Sequence, residues 1–314
     1  MFSITDTTGK GKGAIPLQDI PTGTLLQREQ PIITIPRYGI QRQWADSGLP
    51  QLQGLSAIQK RQFFDLNNNF KEMRPIEGIV RTNAIPLGQS SSTGGIFPVC
   101  SRFNHSCTAN AAYHWNPHSE EEKVYSVQDI RAGEEITVNY ISDEVWHLPG
   151  KERRAAIKAK FGFDCQCDRC ANEHELESDR RRKRLGDINR AVGGGQLIIT
   201  NPAKALALCR EAVQLLKEEG EGAPLLEQVY YDAFQVCVCH GDLPRAKAFA
   251  ALSLEAKKGW QGDDAPELVE MEALHRRPES HRLAFHTREW ASSNAIKAAR
   301  LQEATPEWLW RRAG

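Results

Sequence analysis

The sequence predicts an α+β fold in two parts, a lobe of small β-sheets followed by an all-helical region. Three observations predict it. The first two thirds carry short apolar, β-branched runs separated by turn residues. One stretch among them, about 37–75, switches to helical spacing. After Cys170 the pattern turns helical and stays so.

In chain order, LLQREQPIITIP (Leu25 to Pro36) ends in a run suited to a strand. LSAIQKRQFFDL has helical spacing, with Leu55, Ile58, Phe63 and Leu66 among its apolar positions, so a helical insertion among strands is expected. GQSSSTGGIF (Gly88 to Phe97) is rich in glycine and serine and predicts a flexible loop. KVYSVQDI (Lys123 to Ile130) alternates, with Val124, Ser126 and Gln128 on one face and Tyr125, Val127 and Asp129 on the other. EITVNYI (Glu135 to Ile141) puts Ile136, Val138 and Tyr140 on one face of a further strand.

Three apolar-periodic segments follow, at Ala205 to Gly220, Leu225 to Asp242 and Pro244 to Trp260, joined by short connections. They suggest antiparallel, tetratricopeptide-like packing, without a strict 34-residue self-match. The boundary is expected near Asn172 to Arg184, where SDRRRKR predicts a solvated helix face rather than a binding patch.

The 314 residues suffice for two packed units. With 25% charged residues and zero formal net charge, a uniformly basic nucleic-acid-coating protein is not expected. No apolar run reaches the roughly 18 residues of a membrane span, and MFSITDTTGKGKG lacks a signal-peptide core. The nucleus or cytoplasm is the expected location, and the eight cysteines are read as thiols or metal ligands. CQCDRC brings Cys165, Cys167 and Cys170 together through a tight loop, and zinc wants four ligands. Cys100, Cys107, Cys209, Cys237, Cys239 and the histidines are candidates for the fourth. Cys209, Cys237 and Cys239 lie in helical patterns and are expected as small core residues.

Four stretches in order resemble one family. GKGKGAIPLQDIPTGTLL (Gly9 to Leu26) is similar to the opening of a SET domain, RFNHSCTAN (Arg102 to Asn110) to its Asn-His-Ser-Cys motif, GEEITVNYI (Gly133 to Ile141) to its tyrosine strand, and FGFDCQCDRC (Phe161 to Cys170) to its cysteine-rich post-SET segment. The resemblance covers about residues 9 to 172 and points to the SMYD type, as in fungal SET-domain proteins of this size. The SMYD group carries a zinc-binding MYND finger in the insertion, and Arg37 to Pro75 contains neither cysteine nor histidine, so that finger is absent.

The resemblance implies a SET-type β fold with a pseudoknot over 1–164, a post-SET zinc-binding segment over 165–176 and a tetratricopeptide-like region over 177–314. It implies methyl transfer from S-adenosylmethionine to a lysine ε-amine of a histone or another protein. Lys10, Gly11, Lys12, Gly13, Asn83, Asn104, His105 and Phe163 would hold the cofactor, and Tyr140 would contact it and carry catalysis. Tyr140 and Phe161 would line the lysine channel, where many relatives have a tyrosine in place of Phe161. Cys107 would complete a structural zinc site with Cys165, Cys167 and Cys170. No role falls to Ser106. A monomer without direct nucleic-acid or membrane binding is expected. Two other readings stand beside this one: a degenerate SET scaffold that binds cofactor or peptide, and a cysteine hydrolase built on Cys107 and His105.

Overall fold

The computed structural model describes residues 1–36, 43–88, 91–171, 175–291 and 306–310. The chain divides into two compact units, one of residues 1–146 and 150–175, the other of 147–149 and 176–314.

The first unit is built from small sheets. Strands β1 (Phe2–Thr7) and β2 (Gly11–Pro16) form a hairpin whose tight turn needs positive φ, supplied by Gly9 and Gly11. Strands β3 (Leu25–Glu29) and β4 (Ile33–Pro36) follow, so LLQREQPIITIP forms two strands rather than one. The insertion is helical as expected, with α1 (Gln43–Gly54) and α2 (Ala57–Phe64); positions 37–42 of it lie outside the described residues. Ser56 and Gln59 close a reciprocal capping box at the start of α2. Phe63 is buried there, but Ile58 is 70% exposed, because this short helix offers one narrow face to the core.

Helix α3 (Pro75–Asn83) leads into β5 (Ile85–Pro86) and β6 (Thr93–Ile96). The loop expected over Gly88 to Phe97 is a strand in its second half, and β6 lies between β4 and β5. Its glycines are packing devices. A Cβ at Gly95 would lie 2.6 Å from the Phe97 ring and 2.9 Å from Pro31. Positions 89 and 90 lie outside the described residues.

Strands β8 (Ala111–Asn116) and β9 (Glu121–Ser126) pair antiparallel, and β3 covers the other edge of β9. Alternation fails in β9, because Glu122 to Ser126 are all buried at the centre of a covered sheet. The Glu135 to Ile141 stretch narrows to β10 (Thr137–Val138), which runs parallel to β7 (Asn104–His105). The core beneath includes Phe97, Phe103, Val124, Ile136 and Val138.

The second unit is helical. Helix α7 (Glu175–Gly193) is followed by α9 (Pro202–Glu219), α10 (Ala223–Cys239) and α11 (Leu243–Gln261), with α4 (Asp143–Trp146), α5 (Gly150–Phe161) and α6 (Asp168–Ala171) earlier in the chain and the short α8 (Gln196–Thr200) between α7 and α9. Asn201 caps α9 through the Lys204 N–H, and Gly220 ends it at positive φ. Cys209, Cys237 and Cys239 are buried core residues, as expected.

SDRRRKR is the solvated face expected of it only in part: Arg180, Lys183 and Arg184 are exposed, whereas Ser178 and Arg182 are buried. Arg182 is fully buried and pairs with fully buried Glu219 at 2.9 Å, and Arg181 reaches the same carboxylate at 2.6 Å. Ser178 donates to it as well. One-dimensional charge counting misses a carboxylate that arrives from another helix. Among the described residues no helix is long and apolar enough to cross a membrane.

Candidate active site and metal centre

The parallel pairing of β7 with β10 builds the site. It sets Asn104 opposite Thr137 and His105 opposite Val138, so two distant motifs meet. Just past the strand, the Tyr140 N–H donates to His105 Nδ1 at 3.1 Å. Burial lowers the pKa of His105 to about 4, so the imidazole is neutral. With Nδ1 accepting, Nε2 carries the proton and faces Cys107 Sγ at 3.4 Å.

Tyr140 donates its hydroxyl proton to the Phe103 carbonyl at 2.6 Å. Burial, and then the Glu135 carboxylate, push its pKa above the ordinary tyrosine range. Its ring centroid lies 5.3 Å from both His105 and Phe161. Phe163 extends the cluster, 6.1 Å from His105 and 6.4 Å from Phe161. Phe161 ends α5, and Asn69 of the insertion pins that end by donating to the Phe161 carbonyl at 2.8 Å.

The remaining predicted cofactor residues divide. Lys10 and Asn104 both reach Glu135, each at 2.7 Å. Lys12 pairs with Asp65 at 2.7 Å, and Arg102 holds the same carboxylate at 2.6 Å. Lys12 thus ties β2 to the end of α2. Gly11 serves the hairpin turn, at φ +74. A Cβ at Gly13 would lie 2.6 Å from Glu135 Oε1 and 2.9 Å from Asn104 Nδ2. Asn83 is buried and donates its amide N–H groups to the carbonyls of Asn67 and Ile79. Ser106 acts locally, since its hydroxyl donates to the Thr108 carbonyl and accepts the Thr108 N–H, closing a small turn. The residue types gathered here, cations, carboxamides and aromatic rings, are those that an amino-acid-bearing nucleoside would need.

The sulfurs of Cys107, Cys165, Cys167 and Cys170 all lie within 4.8 Å of one another. Cys107 Sγ is 4.0 Å from that of Cys165 and 3.6 Å from that of Cys170. A zinc–thiolate tetrahedron with arms of about 2.3 Å has edges of about 3.8 Å, so the four donors fit zinc in number, chemistry and spacing. Trp146 Nε1 donates to the Cys107 carbonyl at 3.1 Å. Arg153 is fully buried; burial works against its charge, and the sulfurs of Cys107 and Cys170 outweigh it, raising its pKa. A guanidinium there offsets part of the dianionic charge of a four-thiolate zinc centre. Cys107 sits inside a four-sulfur cluster and faces the donor side of His105, which is the wrong polarity for a nucleophile–base pair.

Sequence reasoning does not single out Glu135, Arg153, Trp146 or the Asp65–Arg102 pair. Glu135 stands inside GEEITVNYI without a role of its own. Arg153 sits in KERRAA, which looks like an exposed helix face.

The family model for the SET domain matches residues 11–141. The histone-lysine N-methyltransferase set5 of Schizosaccharomyces pombe is 31% identical over 288 residues, covering 90% of this chain and 86% of that protein. The histone-lysine N-methyltransferase SET5 of Candida glabrata is 35% identical over 101 residues, 32% of this chain and 18% of that protein. Among solved structures, the SET domain of LSMT bound to lysine and AdoHcy aligns over 96% of this chain and 94% of that one, at 11% identity and a TM-score of 0.37, a likeness that carries no weight of its own.

Proposed function

The chain belongs to the SET-domain family, and from that membership we infer that it is a protein-lysine N-methyltransferase, which transfers a methyl group from S-adenosylmethionine to a lysine ε-amine. The observation that supports this reading most is the β7–β10 pairing, which gathers Asn104, His105 and Tyr140 beside the thiol cluster.

When bound, the cofactor supplies a sulfonium-linked methyl group, an electrophile that needs alignment more than covalent help. Tyr140 provides alignment. Its proton is committed to Phe103, so its oxygen keeps lone pairs to receive an N–H of the incoming amine. Because its phenol is held neutral, Tyr140 orients the amine and does not deprotonate it. Phe161 lines the lysine channel with Tyr140 and adds no hydroxyl of its own. Lys10, Gly11, Lys12, Gly13, Asn83, Asn104, His105, Tyr140 and Phe163 hold the cofactor, with Phe163 offering its ring to the adenine. Cys107, Cys165, Cys167 and Cys170 hold one structural zinc, which ties the segment carrying Phe163 to the motif carrying His105.

The finer reading is a SMYD-type enzyme without a MYND finger, with a post-SET segment over 165–176 and a tetratricopeptide-like helical unit. It acts as a monomer in the nucleus or cytoplasm, on a histone or another protein. Zinc-replete full-length protein, mixed with S-adenosylmethionine and core histones or a demethylated lysate, should leave methyl-lysine detectable by mass spectrometry. Absence of calorimetric binding to S-adenosylmethionine would overturn the reading.

A further inference from the structure

We propose that Glu135 is a positioning residue of the cofactor site, which decides the end of the Asn104 carboxamide that faces the ligand and thereby selects for the ligand's ammonium group. The proposal rests on the methyl-transfer reading above and deepens it.

Asn104 Nδ2 lies 2.7 Å from Glu135 Oε1. An ionised carboxylate only accepts hydrogen bonds, so the amide nitrogen must be the atom aimed at it. The other neighbours of that nitrogen agree: the Lys12 carbonyl at 3.3 Å and Thr7 Oγ1 at 3.4 Å are both oxygens. Asn104 Oδ1 is left as the free end, and among the described residues no group donates to it. A free carbonyl oxygen receives an ammonium and repels a carboxylate. A free amide nitrogen would do the reverse. The orientation of one amide therefore sets which end of an amino-acid ligand is accepted there.

Two further features hold Glu135 in place. Lys10 Nζ grips its second oxygen at 2.7 Å, and the Glu135 side chain is only 17% exposed, so water competes weakly for it. Gly13 lies directly beneath. Any Cβ there would come within 2.6 Å of Oε1 and 2.9 Å of Asn104 Nδ2, contacts that displace one or both. Gly13 thus also makes room for the carboxylate–amide pair. The backbone adds rigidity, since Ile136 N–H donates to the Ala14 carbonyl at 2.9 Å and Asn110 Nδ2 donates to the Glu135 carbonyl at 3.0 Å.

The test uses two probes on the zinc-replete full chain. S-adenosylhomocysteine carries the amino-acid end, and methylthioadenosine lacks it. Glu135→Gln presents an amide that pairs with either end of Asn104, so the orientation is no longer imposed. Calorimetry should show S-adenosylhomocysteine binding weakened about tenfold or more, with methylthioadenosine binding within twofold of wild type. Adding Asn104→Asp to Glu135→Gln exchanges donor and acceptor, restores an outward oxygen, and should recover most of the lost affinity. Should Glu135→Gln alone not fold, Gly13→Ala, whose methyl displaces the carboxylate–amide pair, decides by the same two probes: a loss confined to S-adenosylhomocysteine supports the proposal, and an equal loss for both overturns it. Equal loss for both probes, no loss for either, or a double variant no better than the single one overturns the proposal while the methyl-transfer reading stands. Wild-type protein that binds neither probe overturns both.

Discussion

Replacing Tyr140 with phenylalanine isolates one hydroxyl. The ring stays, so its contacts at 5.3 Å with His105 and Phe161 persist. What disappears is the 2.6 Å hydrogen bond to the Phe103 carbonyl and the oxygen itself. A neutral buried hydrogen bond contributes about 1 kcal/mol net, and an abandoned carbonyl adds up to about 2 kcal/mol more. A loss of that size lowers a melting temperature by several degrees without unfolding the chain. The catalytic cost is larger. An oriented oxygen that meets the reacting amine behaves like other preorganised polar groups, whose removal costs about 10²–10³ in turnover, or about 3–4 kcal/mol. The assay is methyl transfer to a peptide or histone substrate, with cofactor binding and melting measured on the same samples. Turnover should fall at least a hundredfold, well beyond any loss of affinity for S-adenosylhomocysteine. A variant within threefold of wild type would show that Tyr140 does not align the amine. The pH profile adds a second check: with its pKa raised by burial, the phenol should cause no loss of activity as pH climbs toward about 10, the ordinary tyrosine value.

Cys170→Ser should lower bound zinc from one per chain to well under half and reduce cofactor binding with it, read by metal analysis and calorimetry; full zinc with lost binding would uncouple the two. Asp232 is buried and its pKa is raised to about 6 from 3.8, with Gln228 donating to it at 3.0 Å. The folded chain therefore keeps that proton more tightly than the unfolded one. Stability falls as pH rises from about 4 through about 6 and stays lower above it, by about 3 kcal/mol at two pKa units. Asp232→Asn should remove that slope in urea melts at pH 5 and pH 8, and an unchanged slope assigns it elsewhere. Glu219→Gln leaves buried Arg182 and Arg181 without their shared carboxylate and should cost about 3–5 kcal/mol; a cost under 1 kcal/mol would mean the pair is not buried in solution.

Much of the fold was legible wherever short-range chemistry decides it. The helical spacing around Phe63 and the apolar periodicity of α9, α10 and α11 act within a few residues, and pattern finds them. The failures share one physical cause. β6 looked like a loop because Gly95 answers to Phe97 and Pro31 and Gly94 to Ile85, Ala84 and Ile35, not to their own strand. β9 lost its alternation because side chains on both of its faces are buried, from Glu122 to Ser126. Arg182 of SDRRRKR looked wet because its carboxylate partner, Glu219, comes from far along the chain.

The same division runs through the site. CQCDRC announced a cluster of thiols by spacing alone, since three thiols that close cannot avoid one another. Order and motif then supplied Asn104, His105, Cys107 and Tyr140 through resemblance. What the sequence could not contain is orientation. The tautomer of His105, the partner of the Tyr140 proton and the way the Asn104 amide faces are each set by an atom from a different strand or loop. Residue type determines which chemistry is available. Only the parallel meeting of β7 and β10 decides which atom of each residue is spent inside the protein and which remains for the ligand.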